Sequence, residues 1–258
     1  MDYQPGLKGI TAVETKISEI DGEEGTLRYR TRELSDCMKD SFEEVAHFIW
    51  NGVDQTRTTG QMVQSRSVDP TYLNLLKDLS EKQSIPTMMR SAMSFMDQSV
   101  DEWPVSIDTA IKLTGGMPTI AANAYRMTKG RSVVQPREDL NHAANFLYMI
   151  HGKEPNPAHV RALEAYMVAT MEHGLNASTF AARVVISTMS DAHSAATAAI
   201  GALKGPLHGG APSGVIEYLD EVQQTSVKDV VDRKVQAGVK SWDLVIESTK
   251  RLIHVPKL

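Results

Sequence analysis

Helical spacing of apolar residues, repeated from residue 41 to residue 203, is the feature that most restricts the fold of this chain. Ser41 and Glu44 form a capping box at the start of one helix, and Asn51-Gly52 ends it. Pro70 begins another helix that carries apolar residues at helical spacing as far as Leu79. Strand signals are confined to Ile17–Ile20 and Leu27–Tyr29, on either side of a turn. The pattern predicts an all-α fold with a small hairpin near the start.

Further helices are predicted along the rest of this region. A methionine-rich helix begins at Pro86, and its methionines are expected to pack in the core or between subunits. Asp108 is expected to cap a helix of small residues that breaks at Gly115–Pro118 and then continues from Thr119 to Arg126. The remaining predicted helices span Leu140–Ile150, Ala158–Met171, Ser178–Ser187 and Ala192–Leu203.

Charge and cysteine content exclude several classes of protein. The chain of 258 residues has a formal net charge of -5, whereas nucleic-acid-binding proteins normally present a basic face. Its single cysteine, Cys37, allows no internal disulfide, and we expect it to be a spectator in a reducing compartment. The first residues lack the features of a signal peptide, and no apolar run reaches membrane-spanning length. We therefore expect a cytoplasmic protein without nucleic-acid or membrane partners.

A glycine- and proline-rich segment, Gly205–Ser213, places His208 between tight-turn residues. The segment precedes what the sequence predicts as a helix through Val215, Ile216, Leu219 and Val222. Unpaired N–H groups at a helix start favour a neutral imidazole, which can donate a hydrogen bond to a developing enolate oxygen. Taken alone, the same residues are also typical of an interhelical turn with an incidental histidine.

A second segment, Glu172–Thr179, lies between two predicted helices and contains His173. Read alone, His173 is a capping histidine at a helix C-terminus, with Gly174 as the following turn residue. Asn176 and Ser178 have the residue types of a turn and cap for the next helix. No histidine pair has the spacing of a metal site, since His142 and His151 are too far apart for one helix turn.

Three regions of the chain, the first made of three short segments, together resemble the citrate synthase family. Gly6–Ile10, Glu14–Ser18 and Asp21–Arg30 resemble the opening of its bacterial members, Glu172–Thr179 resembles the oxaloacetate-site segment, and Gly205–Ser213 resembles the loop with the first catalytic histidine. Ala211-Pro212-Ser213 is similar to a Bacillus-type subgroup, whereas Thr31–Lys39 departs from the family pattern. The resemblance runs from Gly6 to Gly238.

The resemblance implies roles for four residues. His208 is expected to hydrogen-bond the acetyl-CoA thioester oxygen, His173 to bind oxaloacetate, and Ser178 to orient the catalytic histidine, with Asn176 in the same segment. The implied protein is a homodimer that takes acetyl-CoA as substrate and needs no cofactor or metal. Its implied divisions are a large helical domain at 1–207, the beginning of a small domain at 208–238, and a tail at 239–258.

The tail does not follow the family pattern, which continues with Gly-Phe-Gly-His-Arg-Val-Tyr. If Lys240–Thr249 are written as AAA TCA TGG GAT TTG GTC ATC GAG TCT ACC, one added A after the first codon restores Lys-Ile-Met-Gly-Phe-Gly-His-Arg-Val-Tyr. We therefore interpret the tail as the product of a frameshift near Lys240, which the nucleotide sequence can test. His254 is then not the family's second histidine, and the implied base and arginines are missing.

Three functions follow from these observations as alternatives. The first is a citrate synthase-type acyltransferase by descent, with this chain inactive alone. The second is a non-catalytic fragment that dimerises, and the third is a relative of 2-methylcitrate synthase that uses propionyl-CoA.

Overall fold

The computed structural model of the protein describes residues 11–52, 57–95, 103–206, 208–209 and 219–236. Within these residues the chain is mainly helical, which confirms the all-α prediction. The helices are α1 (Leu34–Cys37), α2 (Phe42–Asn51), α3 (Arg57–Gln64), α4 (Pro70–Leu79), α5 (Ile85–Phe95), α6 (Ile107–Thr128), α7 (His142–His151), α8 (Pro157–Ala169), α9 (Ala177–Ile186), α10 (Ala192–Leu203) and α11 (Val227–Gln236). Residues 219–224 are also helical. None of the described helices is both long and apolar enough to cross a membrane.

A small antiparallel sheet precedes the helices, in the order β1 (Ser18–Asp21), β2 (Thr26–Tyr29), β3 (Arg32–Glu33). The predicted turn is held by Asp21, whose Oδ1 accepts hydrogen bonds from the backbone N–H groups of Glu23 and Glu24. The third strand and α1 were not predicted, because they fall in Thr31–Lys39, where the family pattern is lost. Two residues are too few to show a strand periodicity in sequence.

Helix caps agree closely with the sequence signals. The Ser41–Glu44 capping box forms, with both of its reciprocal hydrogen bonds present. Gly52 and Gly152 end α2 and α7 in the left-handed conformation, with φ of 75° and 70°. Predicted and observed bounds of α7 to α10 differ by at most two residues. The predicted cap of α6 was wrong, since Ser106 rather than Asp108 accepts the N–H of Thr109.

The predicted break at Gly115–Pro118 was also wrong, because α6 runs without interruption through these residues. Both glycines are buried, and α3 crosses α6 closely at Gly115. A Cβ on Gly115 would lie 2.7 Å from the Met62 carbonyl oxygen and 2.7 Å from Ser65 Cβ. The glycines therefore allow close helix packing here rather than ending the helix.

Helix α6 lies at the centre of the described structure and packs against α3, α4, α5 and α7. One apolar cluster joins the hairpin to α2 and α8, and a second joins α4, α5 and α6. The expectation for the methionines is met where they are described, since Met88 and Met93 are buried. Met96, the start of the helix predicted through Val215 and the tail at 239–258 lie outside the described residues. The division between residues 1–207 and 208–238 stays a prediction.

Candidate active site

The site residues meet because α9 and α10 form an antiparallel pair joined by only residues 187–191. At about 1.5 Å of rise per residue, the two helices are nearly equal in length. The start of α9 therefore lies beside the end of α10. Ser178, in the first turn of α9, and His208, just past α10, are brought together in this way.

His208 makes its side-chain contact with Ser178. Its Nε2 lies 2.9 Å from Ser178 Oγ, and both side chains are half-buried. The backbone N–H of His208 donates to the carbonyl of Gly205, and that of Gly209 donates to the carbonyl of Leu203. A Cβ at Gly209 would collide with the Leu203 carbonyl, so the turn that presents His208 requires glycine at this position.

Ser178 is linked through Asn176 to the second predicted histidine, His173. Ser178 Oγ donates to Asn176 Oδ1 at 2.7 Å, and Asn176 Nδ2 lies 3.4 Å from His173 Nε2. Asn176 is also the N-cap of α9, because its Oδ1 accepts the N–H of Thr179 at 2.8 Å. The structure thus joins all four residues predicted from sequence into one hydrogen-bonded chain, with His173 exposed at one end.

The turn that carries His173 is held by residues that sequence reasoning missed. Glu172 Oε1 accepts hydrogen bonds from Ser18 Oγ at 2.9 Å and from the backbone N–H of Gly174 at 2.6 Å. Gly174 has φ of 86°, a conformation that favours glycine. Ser18 begins β1, so the hairpin is tied directly to the turn. An acidic residue before His-Gly was visible in the sequence, but nothing there identified its partner 154 positions away.

Tyr29 also stabilises the turn that carries His173, through hydrogen bonds of its hydroxyl group. Its hydroxyl donates to the carbonyl of Val168 at 2.7 Å and accepts from the N–H of Glu172 at 3.4 Å. The side chain is fully buried, and burial raises the pKa of its phenol. Tyr29 therefore stays a neutral hydrogen-bonding group that fixes the end of α8 and the approach to His173.

One prediction about His208 is not tested by this geometry. The sequence placed it at the start of a helix, but residues 210–218 lie outside the described part of the chain. Within the described residues, His208 follows the C-terminal end of α10, and its partner is a hydroxyl group.

Fold and site together define a helical protein with two histidines joined through an amide and a hydroxyl. The family model described as "Citrate synthase, C-terminal domain" matches residues 6–242. The chain belongs to the citrate synthase family.

Curated relatives of the chain carry two different enzyme names, citrate synthase and 2-methylcitrate synthase. The chain is 38% identical to the citrate synthase of Haloferax volcanii, covering 90% of this chain and 67% of that protein. It is 36% identical to citrate synthase 2 of Bacillus subtilis, covering 84% and 61%. It is also 38% identical to the 2-methylcitrate synthase of Mycobacterium tuberculosis, covering 86% and 58%. The chain thus spans about three fifths to two thirds of the length of these relatives.

Solved structures agree with the sequence matches. Citrate synthase from Thermotoga maritima superposes with a TM-score of 0.80 at 34% identity, covering 94% of this chain and 66% of that one. Citrate synthase from the archaeon Thermoplasma acidophilum superposes with a TM-score of 0.80 at 26% identity, covering 97% and 66%. The latter was solved as a ternary complex with carboxymethyl coenzyme A and oxaloacetate.

Proposed function

We propose that this chain carries the oxaloacetate-binding segment and the first catalytic histidine of a citrate synthase-type acyltransferase. The reaction condenses acetyl-CoA with oxaloacetate and releases citrate and CoA. The observation that carries the proposal is the hydrogen-bonded chain from His208 through Ser178 and Asn176 to His173. It places two histidines, each suited to one substrate, at neighbouring ends of α9 and α10.

Each histidine has a separate task in this reaction. Removal of a methyl proton from acetyl-CoA leaves negative charge on the thioester oxygen, which the N–H of a neutral imidazole at His208 stabilises. Loss of one such donor typically lowers kcat by about a hundredfold to a thousandfold. The exposed imidazole of His173 donates to oxaloacetate, whose ketone carbon the enol attacks. Hydrolysis of the resulting citryl thioester releases both products.

Isothermal titration of the 258-residue chain with oxaloacetate tests the first half of the proposal. We expect binding that His173→Gln weakens by about tenfold or more, which corresponds to about 1.4 kcal/mol. His159→Gln is the matched control, because His159 is an exposed histidine on α8. Equal affinity of the native chain and His173→Gln would refute the assignment of His173.

Release of free thiol from acetyl-CoA in the presence of oxaloacetate tests the second half. We expect little or no release by these 258 residues, because the implied base, second histidine and arginines lie in the segment that the frameshift would replace. The family match ends at residue 242, which supports this interpretation of the tail. A chain from the frame-repaired gene is expected to turn over, and His208→Gln in that chain is expected to lose most of the activity. Turnover by the 258-residue chain at the rate of the repaired chain would contradict the proposal.

The similarity to 2-methylcitrate synthases favours a second candidate function, in which propionyl-CoA replaces acetyl-CoA as the acyl substrate. The Mycobacterium tuberculosis relative has the same identity, 38%, as the Haloferax citrate synthase. Comparing kcat/KM for acetyl-CoA and propionyl-CoA on the repaired chain separates the two. We expect acetyl-CoA to be preferred. A preference for propionyl-CoA would favour a 2-methylcitrate synthase instead.

We also propose that the chain forms a homodimer through α9. Within the described structure α9 packs mainly on α10, and none of its ten residues is buried. Phe180 and Val184 are four positions apart on one face, with 39% and 52% of their surface exposed. A second copy of the chain is the occupant we assign to this apolar face. Such a dimer is also what the alternative of a non-catalytic fragment requires.

A further inference from the structure

We propose that the hairpin of β1 and β2 positions His173 for its ligand, and that Ser18 and Glu172 are the positioning residues through which the hairpin acts. The inference rests on the proposed function for the identity of that ligand, oxaloacetate. Its geometric basis is a set of contacts between one face of the hairpin and the two residues that flank His173 in the chain.

Glu172, which precedes His173, is held by a single cross-strand pair. Ser18 and Tyr29 lie directly opposite each other in the register of β1 and β2, so their side chains share one face of the hairpin. Ser18 Oγ donates to Glu172 Oε1 at 2.9 Å, and the Tyr29 hydroxyl accepts from the backbone N–H of Glu172 at 3.4 Å. The pair therefore fixes both the side chain and the backbone of Glu172.

Gly174, which follows His173, is fixed by the same face of the hairpin. The Glu172 oxygen that Ser18 holds also accepts the N–H of Gly174 at 2.6 Å. Ile20 shares the face of Ser18, because side chains two positions apart in a strand point to the same side. Its Cδ1 would lie 3.8 Å from a Cβ on Gly174. The backbone is thus held on both sides of His173.

The side chain of His173 has little else to hold it in place. It is exposed, and in the part of the chain that the structure describes its hydrogen bond is the one to Asn176, at 3.4 Å. A loosely held side chain loses conformational entropy when it binds a ligand, which lowers affinity. Fixing the backbone on both sides of His173 reduces that loss, because the imidazole is already directed by its own Cα.

Glu172 acts in this arrangement through hydrogen bonding and not through its charge. A single carboxylate oxygen accepts both bonds, and glutamine carries an equivalent oxygen. A negative charge near a site for the dianion oxaloacetate opposes binding. Glu172→Gln should therefore preserve the positioning, whereas a role through charge would make it as damaging as Glu172→Ala.

Isothermal titration of the 258-residue chain with oxaloacetate measures this difference. Glu172→Ala removes the acceptor for both Ser18 and Gly174, and we expect about tenfold weaker binding. Glu172→Gln should recover most of that loss. Ser18→Ala removes only one of the two bonds, so about threefold weaker binding is expected.

Glu19→Ala is the matched control for a change in the hairpin. Glu19 is the exposed neighbour of Ser18 on β1, it points to the opposite face, and it forms an ion pair with Arg28 at 3.6 Å. This variant should bind oxaloacetate like the native chain. Equal affinity of the native chain and Glu172→Ala would overturn the inference, and so would Glu172→Gln that binds as weakly as Glu172→Ala.

Proton–carbon NMR of the histidine rings gives a second readout that needs no ligand. His173→Gln assigns the His173 signals, which are expected to shift in Glu172→Ala and Ser18→Ala but not in Glu19→Ala. His173 signals that stay unchanged in Glu172→Ala would show that the hairpin does not position this ring. If the signals shift as expected but the native chain binds no oxaloacetate, the proposed function fails and the positioning of His173 by the hairpin is retained.

Discussion

His142 is a histidine whose charge is decided mainly by burial. Its side chain is 3% exposed and stacks on Phe42 with ring centroids 4.6 Å apart. Removal from water is the main cause that lowers its pKa to about 4, and the charge of Arg66 lowers it further. The ring therefore stays neutral in the folded protein throughout the physiological range.

This pKa predicts a loss of stability in mild acid. The folded pKa lies below the ordinary value of 6.5, so between pH 6.5 and pH 4 the unfolded chain binds a proton that the native chain does not. Unfolding free energy should fall by about 3 kcal/mol over this window from His142 alone, at about 1.36 kcal/mol per pH unit. Urea unfolding at several pH values measures it.

Matched variants isolate this contribution from that of the carboxylates. His142→Gln should flatten the decline between pH 6.5 and pH 4. His151→Gln, which changes an exposed histidine at the end of the same helix, should not. A slope that is the same in native protein and His142→Gln would contradict the prediction.

At the site, residue types were predictable and their contacts were not. Taken alone, the turns around His208 and His173 also fitted incidental or capping residues, and the resemblance to the citrate synthase family is what indicated His208, His173, Asn176 and Ser178. The structure joins all four by hydrogen bonds. The bond from Ser18 to Glu172 had no local signal, because it depends on how the hairpin packs across the end of α8. Tertiary contacts of this kind are not encoded in any short window of sequence.

Among the elements, α6 is the one whose sequence signals conflict with its structure. Gly115, Gly116 and Pro118 lower helix propensity locally, yet the helix continues because its tertiary packing outweighs that loss. Capping signals were more reliable, as at Ser41 and Gly52, since a cap is a contact within a few residues. Local chemistry was therefore predicted well, and helix continuity through glycines was not.

The close approach at Gly115 predicts an unusual asymmetry between two glycine substitutions. Gly115→Ala would force a Cβ to within 2.7 Å of the α3 backbone, and we expect a loss of about 1–3 kcal/mol in unfolding free energy. Gly60→Ala on α3 meets nothing within 4 Å and should gain up to about 1 kcal/mol. Urea unfolding of both variants gives the comparison, and equal effects of the two substitutions would refute the packing argument.

At the scale of the whole molecule, α9 contributes to both proposals, the active site and the subunit interface. Its first turn holds Asn176 and Ser178, and its apolar face is open in the single chain. A partner on that face would add a second packing surface to a helix that packs mainly on α10 in the single chain. We therefore expect dimer formation and order of the hydrogen-bonded chain to be coupled, which sequence alone could not show because the exposed stripe is apparent only once α10 is in place.

Val184→Glu should break the proposed dimer without unfolding the chain. The side chain is 52% exposed, so a carboxylate there is solvated in the monomer but would be buried between two copies. Sedimentation velocity over a dilution series should show at least about tenfold weaker association, or about 1.4 kcal/mol. Met38→Glu is the control, because Met38 is another exposed apolar residue and lies far along the chain from α9; this variant should associate like the native chain.

Val184→Glu should also lower oxaloacetate affinity in parallel, because α9 begins at the proposed site residues Asn176 and Ser178. A native chain that stays monomeric at every concentration, or a Val184→Glu chain that associates normally, would show that this face is not the subunit interface.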